Sequence, residues 1–264
     1  MYPTLFEIAG FRVDSYSAVW FLALSLAIIW IVHRLEPYKI DEDTARKILS
    51  VSFLFMLLGA RAPEYFVNWR VYYKNPSLLL DFNRGGLHET GAILGAFISA
   101  FILSVFNKKI SFLKLSEAAA IPAMLTIAIG RWGCFLNGCC LGLQTNFFTG
   151  VHFPFERAGL LRHPVQIYYS LTAFVILIML ISVEKIISKR HRLSDSDSIL
   201  APLALISYSL MRLFVDITRS SRGILWRISN EWHYKTLAFL LPLEILWLIY
   251  GIIKLKKQEK IFNE

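Results

Sequence analysis

The stretch "AAAIPAMLTIAIGRWGCFLNGCC" (118–140) decides the fold. Its first twelve residues are apolar apart from Thr126, and the apolar character continues past an embedded arginine to Leu136. A bilayer core of about 30 Å takes about 20 mostly apolar residues in a helix. The run over 117–136 has that length, so it reads as a membrane span. Arg131 then lies inside it, where a charge is costly and invites a functional reading. All three cysteines of the chain follow within nine residues of that arginine.

Working outward, six more runs have the same character: 15–32, 48–66, 92–106, 167–183, 198–215 and 235–253. The third is short, and its start extends as far back as Leu87. Hydrophobic residues make up 56% of the chain and charged residues 18%, below the usual quarter of a soluble domain. The first run has neither a basic leader nor a small-residue cleavage site, so it is expected to be a retained span and not a signal peptide. The expected fold is all-α: a polytopic membrane protein of about seven transmembrane helices, forming a single integral membrane domain over 1–264.

A net charge of +9 raises the question of nucleic acid. Placement answers it. Arg34, Lys39, Arg46 and Lys47 follow the first run, Lys108, Lys109 and Lys114 the third, and Lys185, Lys189, Arg190 and Arg192 the fifth. Lys254, Lys256, Lys257 and Lys260 crowd the tail. Basic residues concentrate in short cytoplasmic connections. The expected topology therefore has the N-terminus outside and the C-terminus in the cytoplasm, with membrane lipids and no nucleic acid as partners.

Other polar residues sit at or near membrane depth. Arg61 and Glu64 close the second run, Arg212 and Asp216 end the sixth with Arg219 just beyond, and Glu244 lies in the seventh. Arg212, Asp216 and Arg219 are spaced i, i+4, i+7, which puts them on one helix face. Arg61, Arg131, Arg212 and Arg219 all fall near the outer ends of their runs. Such a set fits a cationic site for an anionic group, because the planar guanidinium donates two hydrogen bonds to phosphate at once. The alternative for each is snorkelling to lipid head groups. Asp216 is expected to partner Arg212, and Glu244 either hydrogen-bonds a neighbouring helix or touches the site.

Two stretches supply further candidates. "RGGLHETGAILG" (84–95) carries four glycines into the third run, suited to close approach of backbone to a ligand or of helix to helix. "HPVQIYY" (163–169) enters the fifth, with Pro164 suited to a first helical turn and His163 and Gln166 as local caps or site groups. Three cysteines do not make a disulfide framework. Cys139 and Cys140 are adjacent and Cys134 is five residues from Cys139, unlike the C-x₂₋₄-C spacing of zinc sites. No metal is expected on that spacing; one would draw on ligands such as His152 or His163. The thiols read as small buried hydrophobes, as redox or transfer thiols, or as part of a site lining.

The pieces occur together in one family. "DSYSAVWFLA" (14–23), "GAR" (59–61), "GGLHETGAILG" (85–95), "GRWGCFLNG" (130–138), "HPVQIYY" and "RLFVDITR" (212–219) stand in its order, so the chain resembles prolipoprotein diacylglyceryl transferase. The resemblance implies transfer of a diacylglyceryl group from phosphatidylglycerol to the thiol of a prolipoprotein's lipobox cysteine, at the bacterial inner membrane, with no cofactor. It implies that Arg131, matching the arginine of the family's "GR-x-GN-x-x-NGE", acts with Arg212 on the phosphate. Tyr16, Arg61, Gly85, Gly86, Asn137, Gly138, Gln166 and Arg219 become substrate-binding candidates.

Three positions depart from the family pattern. Cys134 and Cys139 stand where it has Asn and Glu, and Thr90 occupies the slot of its glycine-rich histidine. His88, two residues earlier, and His163 are the candidate bases. Two other functions are compatible with these departures: a related transferase with another acceptor, and a non-catalytic lipid-binding or transport protein on the same scaffold.

Overall fold

The computed structural model describes residues 2–8, 11–38, 40–80, 88–107, 110–188, 199–219 and 231–263. The long helices are α1 (Ser15–Leu35), α2 (Glu42–Val67), α4 (Glu89–Phe106), α5 (Phe112–Asn137), α6 (Val165–Ser188), α7 (Leu200–Val215) and α8 (Trp232–Asn263), with a short α3 (Trp69–Lys74) after α2. Among the described residues, seven helical stretches are long and apolar enough to cross a membrane, and each expected run falls on one of them. Large apolar side chains such as Phe21, Leu58, Phe106, Phe174 and Phe239 stand exposed, as lipid-facing positions require. The sequence reading assigns the connections no structure of their own. They carry a hairpin, β1 (Thr4–Ile8) with β2 (Phe11–Asp14), and a two-residue pair, β3 (Val151–His152) with β4 (Leu161–Arg162).

The chain forms two compact units, Met1–Ile31 with Glu117–Glu264, and Val32–Ser116. In the first, α6 packs on α7 and α7 on α8. Buried polar side chains join these helices where no water competes. Glu117 of α5 is fully buried; its Oε2 accepts from the Leu200 amide at 3.0 Å and its Oε1 from the Ala201 amide at 2.9 Å. A carboxylate thus caps the positive start of α7. The Ser170 hydroxyl of α6 donates to the Ala128 carbonyl of α5 at 2.6 Å. Ser209 of α7 donates to Glu244 Oε2 of α8 at 3.2 Å, so the carboxylate expected in the last span links two helices. Helix α1 lies against α5 at two glycines: a Cβ on Gly130 would meet the Trp20 ring at 2.8 Å, and one on Gly133 would meet the Tyr16 carbonyl oxygen at 3.2 Å.

In the second unit α2 packs on α4 through glycine. A Cβ on Gly59 would run into the Gly91 carbonyl, one on Gly91 into the Gly59 carbonyl, and one on Gly95 into the Phe55 carbonyl. Backbones meet where side chains are missing, as small-residue faces allow in membranes. The Ser99 hydroxyl donates to Ser52 Oγ at 2.9 Å across the same contact. Helix α2 starts at Asp41, whose carboxylate accepts from the Thr44 amide at 2.9 Å. The described glycines of the 84–95 stretch therefore serve helix packing.

Candidate active site

Arg131 is buried in the last two turns of α5, with its guanidinium 4.3 Å from the centroid of the Tyr169 ring on α6. Arg212 of α7 lies over the same ring at 5.4 Å. Two cations therefore share one aromatic ring, an attraction of about 2 kcal/mol each when desolvated. The Tyr169 hydroxyl donates to Asp216 Oδ1 at 2.5 Å, and the Tyr234 hydroxyl of α8 donates to Oδ2. Arg212 Nη2 is 3.6 Å from Asp216 Oδ2 and Arg219 Nη1 is 4.0 Å from Oδ1. Asp216 is only 1% exposed, and it orients four side chains at once.

The order of these groups follows from how α7 ends. Helical hydrogen bonding stops at Val215 and a 3₁₀ turn, Asp216–Thr218, follows. The tighter turn eclipses residues i and i+3, which keeps Arg219 beside Asp216 as the expected shared face requires. The Arg219 amide donates to the Asp216 carbonyl at 3.1 Å. Arg212 and Arg219 thus gather on Asp216 while Arg131 joins Arg212 on the Tyr169 ring, and the surplus charge of three arginines over one aspartate suits an anionic group such as a phosphodiester.

The thiols assemble through the end of α5. The Cys139 amide donates to the Cys134 carbonyl at 3.1 Å and the Gly138 amide to the Phe135 carbonyl at 3.1 Å. Gly138 is left-handed with φ 72°. This pair of bonds around a left-handed glycine is a Schellman cap, which brings the residue after the glycine back against the final turn of the helix. Here the two residues it joins are Cys139 and Cys134. Cys140 also adopts a left-handed φ of 61°, uncommon for a residue with a Cβ. The three sulfur atoms lie within 4.8 Å of one another. Spacing along the chain argues against such a group, because it reads C-x₂₋₄-C pairs and takes no account of a cap that folds the chain back. The Cys139 thiol donates to the Cys134 carbonyl oxygen at 3.6 Å.

Gln166 enters this turn from α6. It is 1% exposed, its Nε2 donates to the Cys139 carbonyl, and its Oε1 finds no donor among the described residues. Asn137, the last residue of α5, and Gly138 form the same turn. Tyr16 sits one turn before Trp20 on α1, 37% exposed, with its backbone against Gly133. His163 lies in the loop before α6, where its Nδ1 is 3.1 Å from the Tyr168 hydroxyl, itself 2.6 Å from Thr149 Oγ1. The first unit thus brings together Arg131, Arg212, Arg219, Asn137, Gly138 and Gln166, while His163 turns its Nδ1 to the Tyr168 hydroxyl.

Arg61 and His88 belong to the second unit. Arg61 is buried, with its Nη2 donating to the Leu78 carbonyl at 3.0 Å and its guanidinium 5.7 Å from the Tyr72 ring centroid. His88 precedes α4, its amide donates to the Ala60 carbonyl at 2.9 Å, and its Nε2 is 3.6 Å from Glu64 Oε2. Gly85 and Gly86 lie outside the described residues. Sequence reading missed Tyr169, Tyr234 and Glu117. Tyr169 stands inside the quoted "HPVQIYY", yet an aromatic entering a span looks like any interfacial tyrosine. Tyr234 gives no signal at all until α8 is packed against α7.

The family model of prolipoprotein diacylglyceryl transferase matches residues 3–250 of the chain. The chain belongs to the prolipoprotein diacylglyceryl transferase family. It is 31% identical over 263 residues to the phosphatidylglycerol–prolipoprotein diacylglyceryl transferase of Clostridium novyi (strain NT), covering 97% of the chain and 96% of that protein. It is 27% identical over 262 residues to the enzyme of that name from Clostridium tetani (strain Massachusetts / E88), covering 98% of the chain and 100% of that protein. With the counterpart from Bacillus cereus (strain G9842) it shares 32% identity over 201 residues, 73% of the chain and 72% of that protein. As a prolipoprotein diacylglyceryl transferase family member with seven membrane-spanning-capable helices, it is a multi-pass membrane transferase.

Proposed function

We propose that this protein moves the diacylglyceryl group of phosphatidylglycerol onto the thiol of a prolipoprotein's lipobox cysteine and releases glycerol phosphate. The observation that carries the reading is the pair of guanidiniums, Arg131 and Arg212, on the one ring of Tyr169. They hold the donor's phosphodiester, and they stabilise the charge that grows on the phosphate as its carbon–oxygen bond breaks. Preorganised donors aimed at developing charge are commonly the largest catalytic term. Arg219, tied to the same Asp216, extends the cationic patch toward the head group. Asn137, Gly138 and Gln166 line the turn where the acceptor arrives, and Tyr16 contributes from α1.

The acceptor sulfur must lose its proton to be nucleophilic. In the second unit, His88 beside Glu64 is a histidine–carboxylate pair of the kind a general base uses. The Lys/Arg-rich connections favour an N-terminus on the outer face and a C-terminus in the cytoplasm. The inner membrane of a bacterium, where prolipoproteins emerge, is the matching location.

The test uses purified protein in phosphatidylglycerol vesicles with a lipobox peptide, following glycerol phosphate release and peptide mass together. Release with a diacylglyceryl mass gain on the peptide is the expected result. Release without the mass gain would assign another acceptor. Lipid binding with neither signal would sink the transferase reading.

A further inference from the structure

We propose that Cys134, Cys139 and Cys140 bind a divalent cation of the zinc class, and that its open position takes the acceptor cysteine as a thiolate. The acceptor half of this rests on the transferase reading above; the metal half stands on geometry. Zinc–sulfur bonds of about 2.3 Å at tetrahedral angles hold sulfurs about 3.8 Å apart. The three sulfurs already lie within 4.8 Å of one another, close to that spacing. The backbone is shaped for it: the Schellman cap pairs Cys134 with Cys139, and the left-handed Cys140 turns its side chain back toward them. Such a conformation in a residue other than glycine persists where surroundings over-determine it, and these cluster at functional sites.

A second observation points to the same place. Gln166 is 1% exposed and anchored to the Cys139 carbonyl through its Nε2, while its Oε1 is left without a donor among the described residues. A buried acceptor of this kind is costly unless something fills the space beside it. A metal-bound water in the open position, before the acceptor displaces it, supplies the donor that the amide oxygen lacks. Three thiolates on a divalent cation carry one negative charge, the acceptor thiolate adds another, and Arg131 stands one turn before Cys134 on α5.

The chemistry fits an alkyl transfer to sulfur. Three protein ligands with an open fourth position distinguish a catalytic zinc site from a structural one. Each cysteine releases its proton to water on binding the cation, and the acceptor thiol does the same when it displaces bound water. A coordinated thiol is deprotonated outright. The acceptor sulfur then forms its bond to the glyceryl carbon as the carbon–oxygen bond to the phosphate breaks, and the electron pair leaves on the phosphate oxygen between the arginines. The cation changes neither its oxidation state nor its protein ligands. His88 would then not be the group that activates the acceptor.

The experiment starts from full-length wild-type protein in detergent, with zinc quantified by mass spectrometry and then replaced by cobalt. Expected are one zinc per chain and the near-ultraviolet charge-transfer bands of cobalt–thiolate bonds. Both disappear in Cys134→Ser and Cys139→Ser. A lipobox peptide with cysteine alters the cobalt bands, and its serine counterpart does not. Absence of zinc together with absence of cobalt–thiolate bands in the wild type overturns the metal site without relying on a variant that folds. Bands indifferent to the cysteine peptide overturn the acceptor role. Chelated protein should transfer roughly 10²-fold more slowly, the scale of losing activation of the attacking group. Full-rate transfer without metal also overturns the proposal while leaving the transferase intact. A loaded site that responds to peptide but yields no transfer under any condition would sink the transferase reading and leave the metal site standing.

Discussion

At Tyr169 the ring face meets two guanidiniums while the hydroxyl reaches Asp216. The two contacts separate by mutation. Tyr169→Phe keeps the ring and loses the hydrogen bond; Tyr169→Leu loses both. We expect Leu to weaken phosphatidylglycerol binding by at least about tenfold, one cation–π contact of roughly 1–2 kcal/mol being the scale, and Phe to retain most of it. Vesicle binding by the two variants checks the order, and equal losses would remove the ring from the site. Arg131→Ala should lower kcat by about 10²–10³, the cost of one preorganised donor, with membrane insertion unchanged. Arg131→Lys should recover little of it, since lysine brings the charge without the planar fork or the stacking. A rate fully restored by Lys would mean that Arg131 acts as a point charge only.

Among the elements, α7 depends on a residue far from it in sequence. Glu117 accepts both amides that open the helix. Replacing it by Gln removes the charge and leaves one acceptor, at an expected cost of about 1–3 kcal/mol, read as a lower unfolding midpoint in detergent. A variant as stable as the wild type would mean the cap contributes nothing. The α2–α4 contact is of another kind, because backbone touches backbone across Gly59, Gly91 and Gly95. Gly91→Val places branched carbon where the Gly59 carbonyl stands, and we expect the helices to part and the protein to fail to accumulate in the membrane. Immunoblots of membrane fractions test this, with Ala92→Val at the neighbouring position as the comparison; equal amounts of the two variants would mean the glycine contact is dispensable. The run lengths and hydropathy of these elements were legible in the chain. Their partners were not: nothing near Glu117 announces that Leu200 and Ala201 will need a cap, and no local pattern marks Gly91 as facing Gly59.

For the molecule as a whole, the distribution of Lys and Arg yields a topology that can be measured. The connections after the first, third and fifth spans and the tail hold the dense basic clusters. A reporter active only in the cytoplasm should work when fused after Lys257 and fail when fused at the N-terminus; the reverse pattern would invert the assignment. By itself the chain determined the number of spans, the membrane class and the arginines worth watching, because the bilayer demands long apolar helices and makes every embedded charge conspicuous. Tertiary structure alone decided that Arg131 and Arg212 meet on Tyr169, that Asp216 gathers two tyrosines and two arginines, and that three unevenly spaced thiols converge. Those are contacts between helices, and in one case a cap that reverses the chain. Periodicity along a single helix carries a residue's face but not the neighbour that face will find.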